Sequence, residues 1–300
     1  MIKTGTIVKG IAGFYYVDTG EKVYECKARG AFKNAKLKPA VGDIADIDIA
    51  RGDADTGVVV KIHERRNYFL RPPVANIEQF VVVSSLTDPK PNFSVIDKFL
   101  AVAEMNNVDI VLCFTKSDLV SEKEIDYMKE VYSSCYPVVF LDLKQENGIN
   151  DLMPYLFEKR SALAGPSGVG KSTILNALRS RQDPDHEEVE TGAVSEKTKR
   201  GRHTTRHVEL FKMDFGGAVF DTPGFTSFDA PAVQEDELEE LFPDIAHYRG
   251  RCRFNGCRHV NEPDCAVRAA VEAGEIHEKR YASYLSQLEE LRERERKKYQ

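Results

Sequence analysis

Hydrophobic and polar positions follow two different periods along this chain, and the change of period marks its organisation. Over residues 1–71 short apolar runs are broken by turn residues: 6–17, then 22–28, then a segment after Val41-Gly42-Asp43, then 57–62. In the third of these, Ala45, Ile47 and Ile49 alternate with Asp46 and Asp48, the signature of a half-buried strand. Short strands of this kind in this length suit a small closed barrel, of which the OB-fold is the commonest nucleic-acid-binding example. A β-module with a purely structural task fits the same pattern. The double proline at Pro72-Pro73 sets a boundary, giving a first domain over 1–71.

From Ile77 onward, apolar strands at 80–84, 108–114, 136–141 and 161–164 alternate with helix-length segments at 94–107, 121–134 and 149–159. That alternation predicts a parallel sheet covered on both faces, an α/β domain over 72–228. After Phe228 the pattern shifts again, to an acidic helix-like stretch at 235–241, a Cys/His cluster and a long charged helix, a third domain over 229–300. In that last helix Tyr281, Tyr284, Leu285, Leu288 and Leu291 fall at helical spacing and read as a packing stripe.

Composition sharpens this picture in three places. A chain of 300 residues with 42% hydrophobic residues can bury real cores. It has no run of about 18 apolar residues, and Met1-Ile2-Lys3-Thr4-Gly5 lacks the apolar core of a secretion signal, so the cytoplasm is the expected location and a membrane is not an expected partner. The net charge is −6, yet residues 1–71 carry 13 Lys and Arg against 9 Asp and Glu, so nucleic acid would be met through local patches. Of six cysteines, Cys26, Cys113 and Cys135 stand alone while Cys252, Cys257 and Cys265 cluster, which in a reducing compartment points to metal rather than disulfides.

Gly165-Pro166-Ser167-Gly168-Val169-Gly170-Lys171-Ser172 fits G-x-x-x-x-G-K-[ST] and stands between a short strand and a helix that continues through Thr173. Its glycines let backbone amides turn onto phosphate oxygens, and the helix N-terminus adds its dipole. Lys171 is the candidate for the β- and γ-phosphates and Ser172 for Mg²⁺. This loop alone does not choose between ATP and GTP.

Thr115-Lys116-Ser117-Asp118 follows the apolar strand 108–114, at the strand end where α/β sheets bind ligands. A carboxylate there can accept from both N1–H and the 2-amino group of guanine, and adenine offers neither. Asp118 is therefore the candidate base reader, with the stem of Lys116 along the ring. Asp221-Thr222-Pro223-Gly224 follows a third strand, so Asp221 is placed to hold Mg²⁺, through water, and the Gly224 amide to approach the γ-phosphate. Cys252, Cys257, His259 and Cys265 give C-x4-C-x-H-x5-C, whose three thiolates and one imidazole fill a tetrahedral Zn²⁺ shell; a closed shell makes one structural zinc. Arg249, Arg251, Arg253 and Arg258 surround these ligands without any acid between them, which suggests a charged face for RNA; a solvated basic loop is the plainer alternative.

These motifs resemble those of translation-factor-like GTPases, and their order narrows the resemblance. Asp118 precedes Lys171, which precedes Asp221, whereas in the ordinary order the phosphate loop comes first and the T-K-x-D element later. That permuted order, with a β-barrel in front and a Cys/His cluster behind, is similar to the RsgA (YjeQ/YloQ) family of circularly permuted bacterial GTPases that depend on the small ribosomal subunit. The resemblance implies a multidomain chain: an N-terminal OB-fold β-barrel, a central α/β P-loop GTPase domain and a C-terminal helical zinc-binding domain. It also implies GTP and GDP as ligands, the 30S subunit and its 16S rRNA as partners, and a monomeric factor acting late in subunit maturation.

Residue by residue, Gly201-Arg202-His203-Thr204-Thr205 matches the family's switch, and all four zinc ligands match its cluster. One of Thr204 and Thr205 is expected on Mg²⁺ and γ-phosphate. Phe225 follows Gly224, where many GTPases carry a water-orienting glutamine, and in the family a histidine equivalent to His203 is proposed to take that role. His203 could instead contact RNA phosphate. Two departures stand out. Gly168 holds the position where potassium-dependent relatives carry Asn, and the strand end that usually bears S-A-[KL] reads Leu141-Asp142-Leu143-Lys144, so base support is expected mainly from backbone. An RNA-binding scaffold with incidental turnover is the alternative function.

Overall fold

The computed structural model describes residues 1–29, 38–49, 55–70, 72–182, 208–222 and 228–298. In chain order the strands are β1 (Ile2–Ile11), β2 (Phe14–Asp18), β3 (Val23–Ala28), β4 (Ile44–Ile49), β5 (Thr56–Ile62), β6 (Tyr68–Leu70), β7 (Pro73–Ala75), β8 (Gln79–Ser85), β9 (Asp109–Thr115), β10 (Val138–Leu141), β11 (Arg160–Ala164), β12 (Glu209–Lys212) and β13 (Ala218–Asp221). The α-helices are α1 (Phe93–Met105), α2 (Glu122–Tyr132), α3 (Met153–Leu156), α4 (Lys171–Gln182), α5 (Pro243–Ala246), α6 (Ala266–Glu272) and α7 (Glu278–Lys298). None of the described helices is long and apolar enough to cross a membrane. The chain folds as two compact units, residues 1–79 with 153–163 and 178–225, and residues 80–152 with 164–177 and 226–300.

In the first unit, β1 pairs antiparallel with both β2 and β4, β2 with β3, β3 parallel with β5, and β5 antiparallel with β4. The ring of pairings closes a five-stranded barrel. Ile7, Val17, Tyr24, Cys26, Ala45, Ile47 and Val59 fill it. The single run expected over 6–17 is a hairpin instead. Ile11 faces Phe14 across a two-residue turn, Ala12-Gly13, with φ of 49° and 88°; two positive values match the twist of the flanking strands. The apolar run continues through the turn and conceals it.

Strand β1 also pairs at its far end with β12, Lys9 opposite Glu209, so the barrel sheet continues through β12 and β13 to β11. Gly42 makes this junction possible. Its φ is +94°, and a Cβ there would lie 2.0 Å from the Ala75 carbonyl oxygen and 2.9 Å from the Phe220 ring. Beside it the buried Asp43 accepts a two-pronged contact from Arg65, Nε at 2.7 Å and Nη2 at 2.8 Å. The helix expected over 149–159 shortens to the single turn α3. Pro154 lacks a donor for a preceding turn, and Glu158 adopts φ 53° to swing the chain into β11.

In the second unit the strands run β10-β9-β8, with β10 and β9 parallel. Every residue of β8 is buried and β9 is buried beyond Asp109, as strands covered on both faces must be. Asn92 caps α1 by accepting from the Val95 amide, and Ser121 with Glu124 forms a capping box on α2. The C-terminal module packs the α7 stripe, Tyr284, Leu288 and Leu291, against Phe242, Ile245, Val267 and Ala101 of α1. Glu262 braces its knuckle. Burial raises the carboxyl, but amides of Arg258, Val260 and Asn261 donate to it and hold it down at about 2.

At the start of α7, Arg280 is fully buried with Asp97 of α1, and Asp244 of α5 is nearly so. Its Nε and Nη2 reach the two oxygens of Asp244 at 3.0 and 3.1 Å, and Nη1 donates to Asp97. The rings of Tyr132, Tyr136 and Phe242 surround the guanidinium. Removing the cation would leave two carboxylates in a dry site. Arg280→Met is therefore expected to cost about 3–5 kcal/mol, read as a lower urea midpoint for the full chain.

Candidate functional site

Strand β11 ends buried and the chain turns sharply at Gly165 before entering α4. Gly165 has φ +146°, and a Cβ would lie 2.1 Å from the Val83 carbonyl oxygen, so only glycine fits beside β8. Pro166, Ser167, Gly168, Val169 and Gly170 complete the loop, with Val169 buried and both glycines at positive φ. Lys171 opens α4, followed by the half-buried Ser172 and Thr173. Its ammonium donates back to the carbonyls of Gly165 at 2.7 Å and Pro166. Burial pushes this lysine down to about 8.

Thr115 ends β9 beside that loop. Its hydroxyl donates to the Val169 carbonyl at 2.6 Å, fastening the strand end to the phosphate-type loop. Lys116 takes a left-handed φ of 61° and donates from Nζ to the Asp88 carbonyl. Ser117 and Asp118 lie in the 3₁₀ turn Ser117–Leu119. The Asp118 carboxylate is 19% exposed and accepts from Lys144 Nζ at 2.6 Å. The strand-end segment therefore contributes the Lys144 side chain to this motif.

In the first unit, Asp221 closes β13 opposite Glu209 of β12. Burial raises its pKa, Arg179 opposes the rise and Glu209 adds to it. A carboxyl held this way gains from a cation beside it. The Thr222 hydroxyl next to it is buried with no hydrogen-bond partner among the described residues. His203, Thr204, Thr205 and Gly224 lie outside the described residues.

Cys252, Cys257, His259 and Cys265 converge, their ligand atoms all within 4.8 Å of one another. The Nδ1 of His259 is 3.6, 3.5 and 3.4 Å from the sulfurs of Cys252, Cys257 and Cys265, and Cys252 and Cys265 sulfurs are 3.9 Å apart. Tetrahedral bonds of zinc length require edges of about 3.5 Å for S···N and about 3.8 Å for S···S, so the four residues fit one such ion. The far nitrogen, Nε2, meets Glu239 at 2.9 Å, which fixes the ring with Nδ1 facing the sulfurs. Burial pushes the Cys257 thiol up to about 12 and raises Cys265, so an entering cation displaces protons.

Glu239 and Asp88 were not singled out by the sequence, and Lys144 stood out only as part of a departing strand end, because each reaches its partner across the fold rather than within a motif. Nor do the knuckle arginines stand apart from acids. Arg249 pairs with Glu239 and Glu240, and Arg253 with Asp264 at 2.8 Å.

Comparison with known proteins agrees with this arrangement. The RsgA GTPase family model matches residues 62–231 and the RsgA N-terminal domain model residues 4–59. A small ribosomal subunit biogenesis GTPase RsgA of Clostridium perfringens is 44% identical over 288 residues, covering 96% of this chain and 97% of its own. One of Caldanaerobacter subterraneus is 43% identical, covering 98% of each. Among solved structures, YjeQ from Thermotoga maritima shares 35% identity with a TM-score of 0.80, covering 97% of this chain and 99% of its own. YloQ, described as a circularly permuted GTPase, shares 35% identity with a TM-score of 0.80, covering 98% and 96%. With the family models matched over most of the chain and these relatives over nearly its full length, the chain belongs to the RsgA family of GTPases.

Proposed function

We propose that this chain hydrolyses GTP to GDP and phosphate as a checkpoint in late maturation of the small (30S) ribosomal subunit, and that the subunit stimulates the reaction. One observation carries the reading: the hydrogen bond from Thr115 to the Val169 carbonyl couples the end of the base-reading strand to the phosphate loop. The relatives named as small ribosomal subunit biogenesis GTPases supply the partner.

In this reading Asp118 accepts from guanine N1–H and N2–H, and Lys116 lies along the ring. The amides of Gly165 and residues 167–170 and the Lys171 ammonium hold the phosphates, assisted by Thr173 at the start of α4. Mg²⁺, held by Ser172 and Asp221, supplies charge neutralisation to the β- and γ-phosphates when the nucleotide is bound. Thr204 or Thr205 and the Gly224 amide sense the γ-phosphate, and His203 orients water in place of the glutamine that Phe225 displaces. A structural zinc in the Cys252, Cys257, His259 and Cys265 shell holds the C-terminal knuckle together.

The barrel, residues 1–71, and the zinc module, residues 229–300, flank the GTPase part, residues 72–228, and meet 16S rRNA. The factor acts as a monomer in the cytoplasm. Nucleotide state passes from the sensor after β13 into the zinc module through one connection. Its far end, Phe228, packs on Phe80 and Phe99, and α7 grips the next residues of the chain, Arg294 on the Ala230 carbonyl and Arg292 on Glu235.

Purified small subunits should raise turnover at least on the order of tenfold; an unchanged rate removes this reading. Asp118→Asn should shift preference from guanine to xanthine nucleotides on the order of 100-fold, read by competition binding. Because free Lys171 titrates near about 8 and phosphate favours its charged form, GDP affinity should be full below that pH and decline above it, seen in titrations between roughly pH 7 and 9. One tetrahedral zinc per chain should appear in metal analysis, and its chelation should unfold the knuckle while sparing the barrel.

A further inference from the structure

Lys144 is bound to the one carboxylate on which base selection rests, and its placement is built rather than incidental. Strand β10 ends at Leu141, and Asp142 then braces the turn: its Oδ1 accepts from the Lys144 amide at 3.1 Å and its Oδ2 from the Gln145 side chain at 2.6 Å. Gly148 closes the turn so tightly that a Cβ would lie 1.8 Å from the Asp142 carbonyl oxygen. Leu143 packs towards the phosphate loop, its Cδ1 3.7 Å from where a Cβ on Gly170 would stand, with Thr115 at 3.4 Å from the same point. Residue 143 thus borders the phosphate loop, and residue 144 reaches the base motif.

Asp118 is sheltered at 19% exposure, while Lys144 is 71% exposed, so the lysine covers the acid from its solvent side. An ionised carboxylate has about four acceptor positions, and guanine N1–H and N2–H need two. The Lys144 contact at Oδ2 uses a third. Ammonium and base are compatible on the same carboxylate, and the ammonium favours the ionised, correctly turned form that guanine requires.

We propose that Lys144 is a positioning residue for guanine recognition: it stays on Asp118 when the nucleotide binds and holds that carboxylate in the orientation that discriminates the base. This rests on Asp118 as the base reader. An exposed ion pair sets the scale, so the loss on removing the ammonium is roughly two- to fivefold in affinity.

The test is equilibrium binding of fluorescent GDP and IDP to the full chain and to Lys144→Met, Lys144→Arg, Asp118→Asn and the Asp118→Asn/Lys144→Met double variant. Lys144→Met keeps the stem and should lose GDP affinity by roughly two- to fivefold, more at low salt than at high salt. It should also narrow the preference for GDP over IDP, which lacks the 2-amino group. Lys144→Arg should restore both, and Lys144→Met should cause no further loss on top of Asp118→Asn. Unchanged or tighter GDP binding by Lys144→Met overturns the proposal, because the lysine would then be idle or a competitor that must leave. An equal loss in the Asp118→Asn background also overturns it. If Asp118→Asn itself leaves base preference unaltered, the base-reader assignment fails; if it shifts preference to xanthine while the Lys144 effect is absent or additive, Lys144 alone is wrongly assigned.

Discussion

The guanidinium of Arg280 cannot lose its charge, and burial leaves it no water, so it must find carboxylates wherever the chain puts it. It finds Asp97 on α1 and Asp244 on α5, and these two acids are as dependent on it as it is on them. An apolar contact of equal area would tolerate a slip of one helical turn. A two-pronged pair to Asp244 with a third donor to Asp97 tolerates none, because each slip strands at least one charge. The C-terminal module is thereby registered on α1, and α7, Phe242 and the knuckle take their positions from that point. The surface pair Lys98 with Glu290, at 2.6 Å, extends the same contact but contributes less, since water already solvates both ions.

That registration gives the permuted order its mechanical sense. In the permuted order the strand ending at Asp221 is the last before the chain enters the module that Arg280 holds. That module's entry is fastened, because Phe228 sits against Phe80 and Phe99 and the segment after it is bound to α7. At the other end, β12 pairs with both β13 and barrel strand β1, so Asp221 is one strand removed from Glu209, whose partner across the next pairing is Lys9 at 3.0 Å.

Much of this was legible where the signal is local. The phosphate loop, the Thr115 to Asp118 motif and the four residues of the Cys/His cluster are defined by residue types at short spacing, and the buried strands β8 and β9 by continuous apolar runs. What escaped is long-range or masked by its neighbours. Arg280 reads as one more charge on a charged helix, because its partner Asp97 lies 183 residues away. The Ala12-Gly13 turn is hidden by apolar residues on either side. The arginines near the knuckle look unopposed in sequence, yet Arg249 meets acids supplied by the preceding 3₁₀ turn, Leu238–Leu241. Lys144 was noticed as a departure from a motif, and only the fold gave it a partner.

Three lysines around the candidate nucleotide site share one condition. Lys171 is bound to the carbonyls of Gly165 and Pro166, Lys116 to the carbonyl of Asp88, and Lys144 to the carboxylate of Asp118. In the proposed complex nucleotide binding is an exchange of partners rather than an addition of new ones, and its selectivity lies in which exchanges gain. For Lys171 the proposed exchange puts a phosphate anion in place of neutral carbonyls at a half-buried ammonium that burial has already weakened as a cation. For Lys144 the proposed complex keeps the carboxylate, because the guanine edge that would meet Asp118 presents N–H donors and no anion. In that reading the same rule draws one lysine onto phosphate and keeps the other on Asp118, where a fixed charge holds the proposed base-reading carboxylate.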